Sequence, residues 1–176
     1  MISFDQGIIE KCKKRDRRAQ MQLYNTFYKR IYNTCYRILH DSSQAEEVMQ
    51  DSFLKAFSSL DKYSEIIPFE AWLVRIAING SIDVLRKKDL EIINLNENIN
   101  YDVIDPDDSQ DWEFIKNKAE QVKIAILKLP EPSRLVLSLY LLEGYDHEEI
   151  AEILKIAPGT ARIQYMRAKQ KLIELI

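Results

Sequence analysis

Apolar residues recur at every fourth position through a long stretch near the start of the chain. The row consists of Ala19, Leu23, Phe27, Ile31, Cys35 and Leu39. Positions spaced by four share one face of an α-helix, so the row predicts a helix that starts near Arg18 and buries one side. Helical spacing also governs most of the remaining chain, which contains only four glycines. The sequence therefore predicts an all-α protein.

Three further helices are expected before residue 90. A short helix around Gln6 to Lys14 comes first. Ser43 followed by Glu46 has the pattern of a capping box and predicts the start of another helix. That helix would bury Ala45, Val48, Met49, Phe53, Ala56 and Phe57. Pro68 suits the first turn of a later helix. Its polar face would carry Arg75, Asn79, Asp83, Arg86 and Lys87, because residues three and four apart are neighbours.

Charge divides the chain into three parts although its net value is only -3. Residues 1–90 contain 15 Lys and Arg against 12 Asp and Glu, and residues 121–176 contain 8 against 7. Residues 91–120 contain 2 against 9. From Asp89 to about Asp111 the helical pattern dissolves into Asn, Asp and Glu. We therefore expect two small helical domains, residues 1–90 and 112–176, joined by a flexible acidic linker at 91–111.

The C-terminal part predicts four helices, of which the last two form a helix-turn-helix. Asp146 with Glu149 is a second capping box, and a turn at 156–159 leads into the final helix. The N-terminal residues of such a helix enter the major groove, which makes Thr160, Arg162 and Gln164 candidates for base contacts. Arg167, Lys169 and Lys171 are candidates for phosphate contacts. On spacing alone, a helical hairpin that binds no DNA would look the same.

Other functional classes find little support. The sequence has no glycine-rich phosphate loop, no HExxH and no CxxC, and its only histidines are His40 and His147. We predict no catalytic, cofactor-binding or metal-binding residue. No apolar run approaches ~18 residues and the start lacks the layout of a signal peptide, so no membrane insertion is expected. Two cysteines are too few for a disulfide framework and favour a reduced, cytoplasmic protein.

Three segments, in order along the chain, resemble the extracytoplasmic-function sigma factors of the sigma-70 family. The first runs from Asp41 to Phe57 and is similar to the segment by which those factors grip the polymerase clamp. The second runs from Phe69 to Asn79, with Asp83 and Arg86 beyond, and is similar to their promoter-melting helix. The third resembles their C-terminal domain and comprises Leu129-Pro130, Arg134, Val136, Leu139, Glu143-Gly144-Tyr145, Glu149-Ile150-Ala151, Leu154, Gly159-Thr160, Arg167-Ala168 and Leu172.

The resemblance implies a transcription initiation factor whose partners are core RNA polymerase, promoter DNA and an anti-sigma factor. Polymerase would supply the chemistry, so the chain itself would not be an enzyme. The polymerase contacts would be Glu47, Gln50 and Asp51. The minus-ten contacts would be Tyr63, Phe69, Asn79, Asp83, Arg86 and Lys87, with a base read by the segment 61–67 and Asn79. The minus-thirty-five contacts would be Thr160, Arg162, Gln164, Arg167, Lys169 and Lys171.

Two departures from the family and two rival functions remain. Ala157 stands where the family often has Ser, and Ile163-Gln164 replaces a common Ser-Arg pair, which removes a cation from the last helix. One rival is a free-standing helix-turn-helix regulator, which would bind duplex DNA without polymerase. The other is a protein that only sequesters a partner, which promoter-directed transcription would exclude.

Overall fold

The computed structural model describes residues 6–64, 66–92 and 113–175, and these residues form helices without any strand. The helices are α1 Gln6–Lys13, α2 Arg17–Leu39, α3 Ser42–Ser58, α4 Phe69–Ile92, α5 Glu113–Leu127, α6 Glu131–Leu137, α7 His147–Leu154 and α8 Pro158–Leu175. A 3-10 turn at Leu60–Lys62 precedes α4, and a π-helical turn at Ser138–Leu142 extends α6. The all-α prediction is confirmed. Most of the predicted linker, residues 93–111, lies outside the described residues.

The chain divides into two compact units, residues 1–87 and 88–176. In the first unit α2 packs along α3, and α1 packs against α2 and the 3-10 turn. All six members of the apolar row on α2 are buried, which confirms the helical interpretation of that spacing. The predicted stripe of α3 is buried too, with Phe57 half-exposed at its edge. Burial of these apolar faces is the main source of stability of the unit.

The start of α3 differs from the prediction. The N-cap is Asp41, whose carboxylate accepts a hydrogen bond of 2.9 Å from the backbone N–H of Gln44. His40, with φ of 54°, ends α2 in the left-handed conformation. Ser43 therefore lies inside the helix, and the Ser43–Glu46 capping box is wrong. An aspartate two residues earlier is an equally good cap, and the sharp turn at His40 places it at the helix start.

Helix α4 also differs from the prediction, at its end. Its start is as expected, because Pro68 directly precedes Phe69, the first residue of the helix. The helix continues to Ile92, beyond the loss of amphipathic pattern at Asp89. Helical backbone hydrogen bonds need no apolar stripe, so the fading pattern did not mark the end of the helix.

Helices α3 and α4 approach closely at Gly80. A Cβ placed on Gly80 would lie 3.2 Å from Cγ1 of Val48 on α3, tighter than an ordinary van der Waals contact. The missing side chain thus allows the backbone of α4 to lie against α3 at this point. The close approach sets the separation of the two helices beneath the polar residues described below.

The C-terminal unit has its own core, in which α5, α6 and α8 meet. Its buried members include Ala125, Ile126, Leu129, Leu137, Ala168 and Leu172. Gly144, with φ of 80°, follows the π-helical turn and ends this element, as its position predicts. Ala161 and Ala168 are fully buried on α8, so small side chains let that helix pack close to its neighbours.

The capping box of α7 is confirmed in both directions. The Asp146 carboxylate accepts from the Glu149 backbone N–H at 2.8 Å, and the Glu149 carboxylate accepts from the Asp146 backbone N–H at 2.9 Å. We expect Asp146→Ala to lower the free energy of unfolding by about 1 kcal/mol, because it leaves helix N–H groups without a partner. Urea unfolding monitored by circular dichroism measures this. Glu152→Ala, at an exposed site of the same helix, serves as the control, and equal losses would contradict the assignment.

Both cysteines are buried, and they are thiols rather than partners in a disulfide. Burial, aided by the negative charge of Asp16, raises the pKa of the Cys12 thiol to about 11. The thiol therefore stays protonated and poorly nucleophilic at neutral pH. Among the described residues, no helix combines the length and hydropathy that crossing a membrane requires.

Candidate polymerase and nucleic-acid interfaces

The exposed side of α3 carries all three predicted polymerase contacts. Glu47, Gln50 and Asp51 are exposed, and Gln50 donates a hydrogen bond of 3.3 Å to Glu46 one turn earlier. Leu54 stands beside them with 66% of its surface exposed. It lies four residues after Gln50 and three after Asp51, so its side chain is their neighbour on the helix surface. We refer to Glu47, Gln50, Asp51 and Leu54 as the α3 surface.

Leu54 was missed by the sequence prediction. It falls outside the apolar stripe of α3, and this position off the period is the signal that could have found it. Most of the surface of this large apolar side chain is open to solvent. Burying it against a partner would be favourable, which makes Leu54 a candidate contact in a protein interface.

A cleft of about 300 Å³ lies between α3 and α4, beside the close approach at Gly80. It is lined by Val48, Asp51, Ser52, Lys55, Gly80, Asp83, Val84 and Lys87. Two carboxylates and two ammonium groups thus border one concave surface. The cleft brings Asp51, a predicted polymerase contact, next to Asp83 and Lys87, two predicted minus-ten contacts.

The predicted polar face of α4 is confirmed. Asn79, Asp83 and Lys87 are exposed, and Arg86 is partly buried. The Arg86 guanidinium forms an ion pair with Asp83 at 3.4 Å, which restrains both side chains. The Asn79 amide offers both donors and an acceptor, the combination needed at the polar edge of a base.

The aromatic residues of the expected minus-ten site lie in the core. Tyr63 is 8% exposed and Phe69 is 3% exposed. Their rings meet edge to face with centroids 5.7 Å apart, and Trp72 packs on Tyr63 at 5.2 Å. The Tyr63 hydroxyl donates a hydrogen bond of 2.7 Å to the Ile67 carbonyl. Neither ring presents a free face to a base in this conformation, because tertiary packing encloses both.

The segment 61–67 nevertheless presents exposed residues. Ile66 is 86% exposed, and Asp61, Lys62 and Ser64 are exposed as well. The hydrogen bond from Tyr63 to Ile67 ties the two sides of this segment together. Tyr63 therefore anchors the segment to the aromatic cluster with Phe69 and Trp72, while Asp61, Lys62, Ser64 and Ile66 are exposed to solvent.

Helices α7 and α8 form the predicted helix-turn-helix. Lys155, with φ of 55°, ends α7, and α8 begins at Pro158. A cluster of half-buried rings supports this arrangement. Tyr140, His147 and Tyr165 lie with centroids 4.5 to 5.0 Å apart and join the π-helical turn, α7 and α8. The packing fixes which side of α8 faces outward.

Five of the six predicted minus-thirty-five residues are exposed on α8. They are Thr160, Arg162, Arg167, Lys169 and Lys171. Gln164 is half-buried beside the core, so less of its amide is available than the sequence suggested. Arg162 forms an ion pair with Glu148 of α7, at a sequence separation that spans the turn. The pair links the two helices and restrains the guanidinium at the entrance of α8.

No cluster of His, Cys, Asp or Glu able to hold a metal ion occurs within the described part of the chain. The candidate surfaces are instead amphipathic helix faces with exposed amides, carboxylates and cations. Such surfaces recognise macromolecules through hydrogen bonds and charge.

Two protein-family models match the chain. Residues 23–91 match Sigma-70 region 2, and residues 120–172 match Sigma-70, region 4. The ECF RNA polymerase sigma factor SigW of Bacillus subtilis (strain 168) is 31% identical over 93% of this chain and 92% of its own length. The ECF RNA polymerase sigma-E factor of Haemophilus influenzae is 28% identical over 96% of this chain and 93% of its own length.

Solved structures share the fold. The sigma factor RpoE, in a complex with the anti-sigma factor NepR from Bartonella quintana, superposes with a TM-score of 0.63 at 23% identity. The match covers 88% of this chain and 94% of RpoE. CnrH, in a complex with the cytosolic domain of CnrY, gives a TM-score of 0.56 at 23% identity, over 97% and 96% of the two chains. These likenesses show the fold. The two family matches, which follow the order of the motifs in the sequence, and the 31% identity to SigW show that the chain belongs to the extracytoplasmic-function sigma factors of the sigma-70 family.

Proposed function

We propose that this sigma factor binds core RNA polymerase through the α3 surface, reads and opens the minus-ten element with α4 and the segment 61–67, and reads the minus-thirty-five element with α8. The observation that carries the proposal is the order of the two Sigma-70 regions along the chain, with α3 and α4 in the first and the helix-turn-helix in the second. A free-standing helix-turn-helix regulator accounts only for the second region.

The charges of α3 and α8 support a factor that binds promoter DNA only as a subunit of polymerase. The polymerase-facing residues Glu47 and Asp51 are acidic, while the exposed face of α8 carries Arg167, Lys169 and Lys171. Phosphate neutralisation by so few cations gives weak binding to duplex DNA. Polymerase would therefore have to hold both units at the promoter, which fits a factor that acts only as a subunit.

Several narrower assignments belong to the same proposal. Residues 1–90 form the polymerase and minus-ten domain, residues 91–111 a linker, and residues 112–176 the minus-thirty-five domain. The protein acts in the cytoplasm, where polymerase works, and leaves catalysis to polymerase. An anti-sigma factor controls its access to the core enzyme.

The deciding experiment is a pull-down with core polymerase followed by transcription from a promoter in vitro. A sigma factor should bind the core enzyme tightly, bind duplex DNA weakly alone, and start transcripts at a defined position. A free-standing regulator would bind duplex DNA without polymerase. A sequestering protein would bind a partner and yet start no transcripts.

The recognition helix gives a prediction with two distinct outcomes. If Arg162 reads a base edge, Arg162→Ala should weaken promoter binding by about 1–3 kcal/mol and relax preference at one position. If Lys169 contacts phosphate, Lys169→Ala should weaken all sequences alike. Selection from a library randomised in the minus-thirty-five element compares them. Unchanged preference in both variants would make Arg162 a backbone contact.

The acidic segment gives a prediction about salt. We propose that residues 91–111 thread a basic channel of polymerase that also accommodates RNA, with carboxylates in the place of phosphates. Replacing Asp102, Asp105, Asp107 and Asp108 by Ser should then weaken holoenzyme assembly more at low salt than at high salt, because salt screens the attraction. Titrations at two salt concentrations measure this. Equal effects at both would identify a simple spacer.

A further inference from the structure

An exposed apolar ridge runs along α8. Ile163 is 53% exposed and Met166 is 70% exposed, three residues apart. Ile173, 67% exposed, continues the ridge toward the C-terminal end of the helix. Ala161, Ala168 and Leu172 are buried on the opposite side, so the packing of α8 fixes the ridge outward. Ile163 and Met166 lie in the half of the helix that enters a major groove in helix-turn-helix proteins.

Cations border this ridge on both sides. Helical spacing places Arg162 and Lys169 along one side and Arg167 and Lys171 along the other. All four side chains are exposed. A helix with an apolar centre and cationic flanks matches a DNA groove, where bases lie between two phosphate backbones. An apolar partner protein would have to supply acidic residues on both sides of its own contact.

Two of the polar candidates on α8 have contacts within the unit. Gln164 is half-buried, and the exposed Arg162 guanidinium forms an ion pair with Glu148. In the major groove the only apolar group that distinguishes one base from another is the C5 methyl of thymine. Resting on the function proposed above, we propose that Ile163 and Met166 read thymine methyl groups in the minus-thirty-five element. Thymine on either strand presents its methyl in this groove, so both strands are candidates.

Deoxyuridine tests this directly, because it lacks only the methyl group of thymine. Holoenzyme first selects its preferred minus-thirty-five sequence from a randomised library. Each thymine of that sequence, on either strand, is then replaced by deoxyuridine, and binding of holoenzyme is measured. We expect about fourfold weaker binding at each thymine that is read, the value of one buried methyl.

Variants assign the effect to the ridge. Ile163→Ala and Met166→Ala should each lose the discrimination between thymine and deoxyuridine at the thymine that the replaced side chain contacts. Both sites are exposed and alanine favours helix, so the fold should persist. Ile173→Ala is the matched control, since Ile173 lies about 15 Å farther along the axis than Ile163. That variant should keep the full preference for thymine.

The outcomes separate this proposal from the one on which it rests. A selected element without thymine, or equal binding of both promoters by the unaltered protein, overturns methyl reading and leaves minus-thirty-five recognition in place. Loss of methyl discrimination in Ile173→Ala as strong as in Met166→Ala also overturns it. A holoenzyme with no preference in this element overturns the proposed function of α8 itself.

Discussion

Asp51→Arg should weaken binding of this protein to core RNA polymerase at least tenfold while leaving the fold intact. The carboxylate is exposed on the α3 surface, so the substitution costs no packing. If the α3 surface binds a basic part of the polymerase clamp, as proposed, the substitution replaces attraction by repulsion, and like charges opposed in an interface cost several kcal/mol. Leu54→Ala should cause a comparable loss, because it removes the exposed apolar side chain of the α3 surface. Titration of each variant against core enzyme measures the effect.

A matched control shows whether the effect depends on the position of the substitution or only on the change of charge. Glu174→Arg makes the same charge change at an exposed position near the end of α8. It should retain the unaltered affinity for core enzyme, and circular dichroism should show the same helix content in all variants. Affinity unchanged by Asp51→Arg, or lowered equally by Glu174→Arg, would remove the α3 surface from the polymerase contact.

The second large effect concerns the minus-ten element. We expect Asn79→Ala to reduce promoter opening about five- to hundredfold and to alter the preferred minus-ten sequence, since pairing with a base edge is worth ~1–3 kcal/mol. Exchange of residues 61–67 for the loop of another family member should change that preference too. An extruded base must leave its stack, at a cost of a few kcal/mol, and these residues are placed to offset the cost.

Transcription from a library randomised at the minus-ten element gives the preference, and a premelted template isolates strand opening. Defects of Asn79→Ala should shrink on the premelted template, while its affinity for core enzyme stays unchanged. A loop exchange that leaves the selected minus-ten sequence as it was would show that this loop is not the reader.

The aromatic part of the minus-ten site requires a different view from the one the sequence suggested. Tyr63 and Phe69 were predicted to contact the minus-ten element, where an accessible aromatic ring would offer a base a stacking face typically worth ~1–3 kcal/mol. Both rings are enclosed with Trp72. The segment around Tyr63 has no apolar period, so its sequence carries no sign that the ring folds back onto α4. Tertiary contacts between residues of different elements are what local spacing cannot reveal.

Helices with a strong apolar periodicity were predictable from the sequence, whereas the residues at which they begin and end were less predictable. The apolar row of α2 and the capping box at Asp146 follow from local rules, and both are present. The start of α3 was misplaced because Asp41 and Ser43 both satisfy the capping rule. The end of α4 was misplaced because a helix can outlast its buried face. The π-helical turn at Ser138–Leu142 left no trace in the apolar spacing.

The positions of the candidate surface residues on their helices were predictable, whereas their exposure was not. Spacing placed Asn79 and Asp83 on one polar face, and the structure agrees. It could not reveal that Gln164 is half-buried or that Arg162 pairs with Glu148, because both depend on how α7 crosses α8. The sequence prediction missed Leu54 because a single apolar residue outside the buried stripe does not contribute to a helical period.

The cleft between α3 and α4 has a thermodynamic consequence. Asp51 on its α3 side and Asp83 and Lys87 on its α4 side border the same space, so a ligand on one helix changes the electrostatic field felt on the other. Binding energies that interact in this way are linked, and the linkage is reciprocal. If α3 binds polymerase and α4 binds the opened strand, as proposed, the factor by which polymerase strengthens strand binding equals the factor by which the strand strengthens polymerase binding. Release of DNA after initiation would then lower the affinity for polymerase by that same factor.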